Sequence, residues 1–128
     1  MNKKIMIVED DPEISAYLKT IFEDNGYETS LAVSGIDAIK KIKEDTPDLI
    51  TLDLMMPGSW GNVFYQKLQK TEELKGIPVI VISGADSVLP MGDIKKEKVM
   101  KLDKAAAFIK KPFDRDELLN KVSALLNN

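Results

Sequence analysis

Five short apolar runs rich in β-branched residues, separated by longer segments of helical period, limit what this chain can fold into more than any other feature. Ile5–Val8, Glu28–Val33, Leu49–Leu52, Ile77–Ile82 and Ala107–Ile109 read as strands. The segments between them read as helices. Asp11 is placed to cap the first, Pro12 to open it and Gly26 to end it, with Ile14, Leu18, Ile21 and Phe22 on one face. The second runs from Ser34 towards Asp45, turns Ala38, Ile39 and Ile42 inward and stops before Pro47. A third over Asn62–Glu73 carries Val63, Phe64 and Leu68, and a fourth spans Ile94–Asp103. The last has Asp114 and Glu117 at capping-box spacing ahead of Leu118, Leu119, Val122 and Leu125. Strict β-α alternation implies a parallel sheet with helices on both faces. Five units fit a flavodoxin-like (βα)5 doubly wound sheet of strand order 2-1-3-4-5. Residues 1–128 contain no repeat, low-complexity tract or linker, so one domain is expected.

Composition then removes several chemistries. Without cysteine there is no disulfide framework, thiolate metal site or thiol nucleophile. Without histidine there is no imidazole base, no histidine metal ligand and no histidine phosphodonor. A net charge of −3 argues neither for nor against nucleic acid or an acidic membrane. The start, MNKKIMIVEDD, reaches acidic residues after too short an apolar run for a signal peptide. No run approaches the roughly 20 apolar residues of a membrane span, and the expected compartment is the cytoplasm.

In open α/β sheets ligands bind beyond the carboxyl ends of the strands, where the strand order reverses. Strand one delivers Glu9, Asp10 and Asp11 there; strand three delivers Asp53, strand four Ser83 and strand five Lys111. At least three carboxylates, a hydroxyl and an ammonium therefore converge on one rim. Each pair of like charges at about 4 Å costs roughly 4 kcal/mol at an effective dielectric near 20. Such a cluster must protonate, stay solvated or hold a cation. An all-oxygen donor set favours a hard ion, and few carboxylates with room for water favour Mg²⁺ over Ca²⁺. Asp53 beside that metal, the Ser83 hydroxyl and the Lys111 ammonium make a phosphoryl-transfer site with Asp53 as nucleophile.

The same residues, in order from KIMIVEDDPEI through LDLMMPGSWG to FIKKPFDRDELL, resemble the receiver domain of bacterial two-component response regulators over essentially the whole chain. The likeness is to the single-domain, chemotaxis-regulator type. It implies that Glu9 and Asp10 are the acidic metal pair, that Asp53 is the phosphoacceptor and that the backbone carbonyl of Met55 also ligates Mg²⁺. It further implies a switch pair in Ser83 and Phe108 and an active-site lysine in Lys111, followed by a cis Pro112. A sensor histidine kinase or histidine phosphotransfer protein would donate the phosphoryl group. Transfer and dephosphorylation would be self-catalysed, so the chain would be a signalling module and not a metabolic enzyme. The face of helix four, strand five and helix five would then change its preference for a downstream output protein or domain. The implied state is a monomer or a phosphorylation-dependent dimer, without direct nucleic-acid or membrane contact. Two features depart from the family pattern: Ser83 to Lys111 is about six residues longer than usual, and Lys104 stands where glycine is common. A start at Met1 and an end at LLNN fit a stand-alone protein, the alternative being a receiver piece of a longer regulator or hybrid kinase.

Blander and rival readings bear on single residues. Asp10 and Asp11 suit helix caps, yet Asp11 suffices before Pro12, leaving Glu9 and Asp10 unexplained. Phe108 suits plain core equally well. Lys95, Lys96, Lys98 and Lys101 suit a solvated helix face, and Trp60 an anchor for the loop after Pro57. A haloacid-dehalogenase-type phosphatase needs an acid two positions after its nucleophile, where this chain has Met55. A flavin-binding protein needs a phosphate-cradling loop after strand one, where EDDPE would repel the phosphate. A receiver-like module that never carries phosphate would have no use for the complete acid and lysine set.

Overall fold

Strand β1 (Lys4–Val8) lies between two parallel neighbours, β2 (Glu28–Ala32) and β3 (Leu49–Asp53). Beyond β3 follow β4 (Val79–Ser83) and β5 (Ala107–Lys110), giving the order β2-β1-β3-β4-β5. The computed structural model describes residues 2–53, 60–83, 106–110 and 112–126. Its helices are α1 (Pro12–Asp24), α2 (Gly35–Glu44), α3 (Trp60–Lys70) and α4 (Arg115–Leu126). Alternation along the strands sorts the core into two layers. Met6, Val8, Ile50, Leu52, Val79 and Val81 join residues of α2 and α3 in one buried cluster. Ile5, Ile7, Leu49, Ile80, Ile82 and Ile109 join residues of α1 and α4 in the other. This is the doubly wound flavodoxin-like sheet that the β-α alternation implies.

Local chemistry fixes where the elements start and stop. The Asp11 carboxylate accepts the Glu13 amide at 2.9 Å, and Pro12 opens α1. At its far end Gly26 has φ +89°, its amide bonds Glu23 and the Tyr27 amide bonds Phe22, each at 3.1 Å. That is the paired Schellman arrangement, closed by an edge-on contact between Phe22 and Tyr27 with centroids 6.5 Å apart. At α2, Ser34 Oγ accepts the Asp37 amide while Asp37 accepts the Val33 amide, both at 3.1 Å. That second bond draws Val33 out of the ladder, so β2 ends at Ala32 rather than Val33. Lys41 donates to the Leu31 carbonyl on edge strand β2, covering part of an open edge. At the sheet's lower end, Lys4 and Asp48 exchange bonds of 2.8 Å, locking the register of β1 against the entry to β3. Lys4 also pairs with Asp45, whose hydrogen bond holds its ammonium above the usual lysine range.

Two further boundaries differ from the periodicity. α3 covers Trp60–Lys70 rather than Asn62–Glu73, because Thr71 turns its hydroxyl back to the Lys67 carbonyl and begins a chain of turns to Ile77. Trp60 is therefore the first residue of a helix, not part of a loop. β4 begins at Val79 because the Ile77 amide bonds Leu74 and Pro78 has no N–H to give. The expected helix over Ile94–Asp103, the basic stretch within it and Lys104 lie outside the described residues.

One core position runs against the pattern. Thr51, in the middle of β3, is 1% exposed, and its hydroxyl has no hydrogen-bond partner among the described residues. A buried hydroxyl without a partner costs about 1–3 kcal/mol. Thr51→Val, nearly isosteric, should raise unfolding free energy by about 1 kcal/mol in urea titration; an equal loss would show that the hydroxyl is satisfied in solution.

Candidate functional site

The register carries the acidic residues to one level. Val8 of β1 pairs with Leu52 of β3, so Glu9 and Asp53 come one step later on neighbouring strands. The Glu9 amide extends the ladder by bonding the Ala32 carbonyl at 2.9 Å, which fixes the backbone where β1 gives way to loop. Asp53 is the last residue of β3, paired with Ile82 of β4. Ser83 is the last residue of β4 and pairs with Lys110 of β5, so its backbone reaches the same rim. This is the switch point, since β1 leads outward to β2 on one side and β3 leads to β4 on the other.

Carboxylate oxygens of Glu9, Asp10 and Asp53 all lie within 4.8 Å of one another. Glu9 is 2% exposed and Asp53 4%, whereas Asp10 is open to solvent. Two buried acids this close repel by about 3.5 kcal/mol at an effective dielectric of 20. Hydrogen bonds offset part of that cost. Glu9 Oε2 accepts the Asp11 amide at 3.2 Å, which aims the side chain back over the loop. Three oxygen donors, two shielded and one open to water, fit a hard divalent ion that keeps part of its water shell. The donor set suits Mg²⁺ better than a softer metal. Glu9, Asp10 and Asp53 are thus brought together as the strand ends require.

The remaining expected site residues divide. Lys111 and Met55 lie outside the described residues, as does the side chain of Ser83. Phe108 is half-buried and packs against the cluster on the α2 and α3 side. That accounts for it as core and leaves its switch role to experiment. Sequence reading gave Asp11 as a helix cap and as one of the acids at the rim; the bond from its amide to Glu9 depends on a side-chain direction that no residue pattern encodes.

A family model described as the response regulator receiver domain matches residues 5–123. The response regulator MprA of Mycobacterium ulcerans is 35% identical over 127 residues, which are 98% of this chain and 51% of that protein. The chain therefore spans about half the length of that relative. Protein Rrf1 of Nitratidesulfovibrio vulgaris is 30% identical over 129 residues, covering 98% of this chain and 84% of that protein. Among solved structures, the signal receiver domain of a signal transduction histidine kinase from Syntrophus aciditrophicus superposes with a TM-score of 0.83. It is 32% identical and covers 98% of this chain and 90% of that one.

Charge repulsion in the cluster has a measurable consequence. In EDTA, Asp53→Asn should be more stable than wild type by about 1–3 kcal/mol, a fraction of the pairwise repulsion. Adding Mg²⁺ should raise the melting temperature of wild type and leave the variant nearly unmoved. Melting curves in both conditions check this, and a variant less stable than wild type in EDTA would contradict it.

Proposed function

This chain belongs to the response regulator receiver domain family of two-component signalling, and from that premise we propose that it accepts a phosphoryl group on Asp53 in a Mg²⁺-dependent reaction. The donor is a phosphohistidine on a sensor histidine kinase or a histidine phosphotransfer protein. The observation that carries this reading is the buried Asp53 carboxylate at the end of β3, within 4.8 Å of the carboxylates of Glu9 and Asp10.

Asp53 ends a strand paired on both sides, so its backbone is fixed before the donor arrives, and less orientational freedom is left to lose. One carboxylate oxygen attacks phosphorus in line with the donor's P–N bond. A P–O bond forms as P–N breaks, and the departing electron pair stays on the imidazole nitrogen. Glu9, Asp10 and Asp53, with the Met55 carbonyl that the resemblance adds, would hold Mg²⁺, which would supply positive charge against the phosphoryl oxygens. Lys111 pairs with the same oxygens, and Ser83 donates its hydroxyl to one of them. Water later attacks phosphorus, the bond from phosphorus to the Asp53 oxygen breaks, and inorganic phosphate leaves as the Asp53 carboxylate is restored, so the chain turns itself off without being a metabolic enzyme.

Phosphorylation biases a two-state surface. Ser83 draws toward the phosphoryl group and Phe108 follows into the space behind it. The face built from the segment carrying Ile94–Asp103, β5 and α4 then meets an output protein, or an output domain on the same polypeptide. The MprA relative is about twice as long as the region matched here, and that additional length suits the second arrangement.

Incubation with acetyl phosphate and Mg²⁺ should add one phosphoryl mass to wild type and none to Asp53→Asn, read by intact-mass spectrometry. Labelling that survives the substitution removes Asp53 from the role. Lys111→Ala should keep the metal site yet lower the extent of labelling by about tenfold or more, in keeping with loss of one charged group at a phosphoryl centre.

A further inference from the structure

We propose that Asp11 is a positioning residue for the metal site, acting through its capping geometry and not through its charge. The proposal rests on the phosphoacceptor reading of the Glu9, Asp10 and Asp53 cluster.

Glu9 carries a longer side chain than its neighbours, so its carboxylate has more freedom to lose. One of the contacts that orient it is the Asp11 amide, which donates to Glu9 Oε2 at 3.2 Å. The direction of this N–H is set by three constraints that meet at one residue. The Asp11 side chain accepts the Glu13 amide at 2.9 Å, and the Asp11 carbonyl accepts the Ser15 amide at 3.0 Å. Pro12 follows, which excludes the helical region for Asp11, and the residue sits in extended backbone at φ −85°, ψ 115°. The first turn of α1 is thereby fastened to the loop that carries the acids. The packed helix, with Leu18, Ile21 and Phe22 in the core, is the rigid body that holds the Asp11 amide in place. The Asp11 carboxylate is itself turned to the helix, as the cap, so its negative charge is spent on the amide end of α1.

Substitutions at residue 11 separate geometry from charge. Asp11→Asn and Asp11→Ser keep a capping oxygen and remove the charge; Asp11→Ala removes both. Mg²⁺ titrated into each variant and wild type by calorimetry gives the affinity, with circular dichroism to verify folding. Positioning predicts that Asn and Ser stay within about twofold of wild type, while Ala weakens binding by about tenfold, the lower end of what loss of an outer-shell support costs. In EDTA, exchange of the Asp11 amide proton should be faster in the Ala variant than in the Asn variant, a readout that needs no metal. Equal loss in all three variants would assign the effect to charge and overturn the proposal. Unchanged affinity in all three would make Asp11 a helix cap and nothing more, which also overturns it. Should Asp11→Ala fail to fold, Pro12→Ala relaxes the same turn, and wild-type affinity in that variant counts against positioning. Wild type that binds no Mg²⁺ overturns the phosphoacceptor reading itself, a result distinct from the others.

Discussion

The close approach of carboxylates on neighbouring strands is the constraint on which the rest of the structure turns. Parallel pairing leaves no freedom in where β1 and β3 end relative to each other. Once Val8 is opposite Leu52, Glu9 and Asp53 must emerge together. Both are buried, so water screens them poorly and their repulsion is comparable to a sizeable part of a domain's net stability of about 5–15 kcal/mol. A fold that keeps such an arrangement does so at a cost to its own stability, and this is the mark of a site rather than of a scaffold. The two hydrophobic layers supply the rigidity that keeps the acids from moving apart.

Rigidity is not spread evenly. Caps and the Schellman turn fix both ends of α1, and the bonds from the Asp37 amide to Ser34 and from the Val33 amide to Asp37 fix the start of α2. At the opposite end of the strands from the acids, Lys4 with Asp45 and Asp48 clamps the start of β1 against the approach to β3. The acids therefore stand on a frame braced at both ends. The proposed phosphorylation of Asp53 would change charge without needing to deform the sheet, so a response would pass to the rim loops and the side chains behind them. Phe108, half-buried at the boundary of one core layer, is a side chain in that position.

Much of this was legible before any coordinates. Alternating runs gave the doubly wound sheet, and strand ends gave Glu9, Asp10 and Asp53 as neighbours, because pairing order and strand length are written in apolar patterning. Asp11, Pro12 and Gly26 marked the limits of α1 for reasons of local backbone chemistry, and each holds. Misplaced boundaries fall where a side chain competes with the backbone. The Asp37 carboxylate takes the Val33 amide out of β2, and the Thr71 hydroxyl joins the end of α3. Thr51 was equally invisible: a hydroxyl in an apolar run looks like ordinary β-branched filling until its surroundings prove dry. The Asp11 amide on Glu9 was missed because a backbone donor leaves no trace in residue type.

The most direct test of the central claim, that the strand ends form one divalent-metal site, is a Mg²⁺ titration followed by amide NMR on the whole chain. The account predicts saturable one-to-one binding with the largest shifts at residues 9–11 and 53, at the ends of β1 and β3. Shifts scattered over surface acids such as Asp114 and Asp116, or none at residue 53, would contradict it.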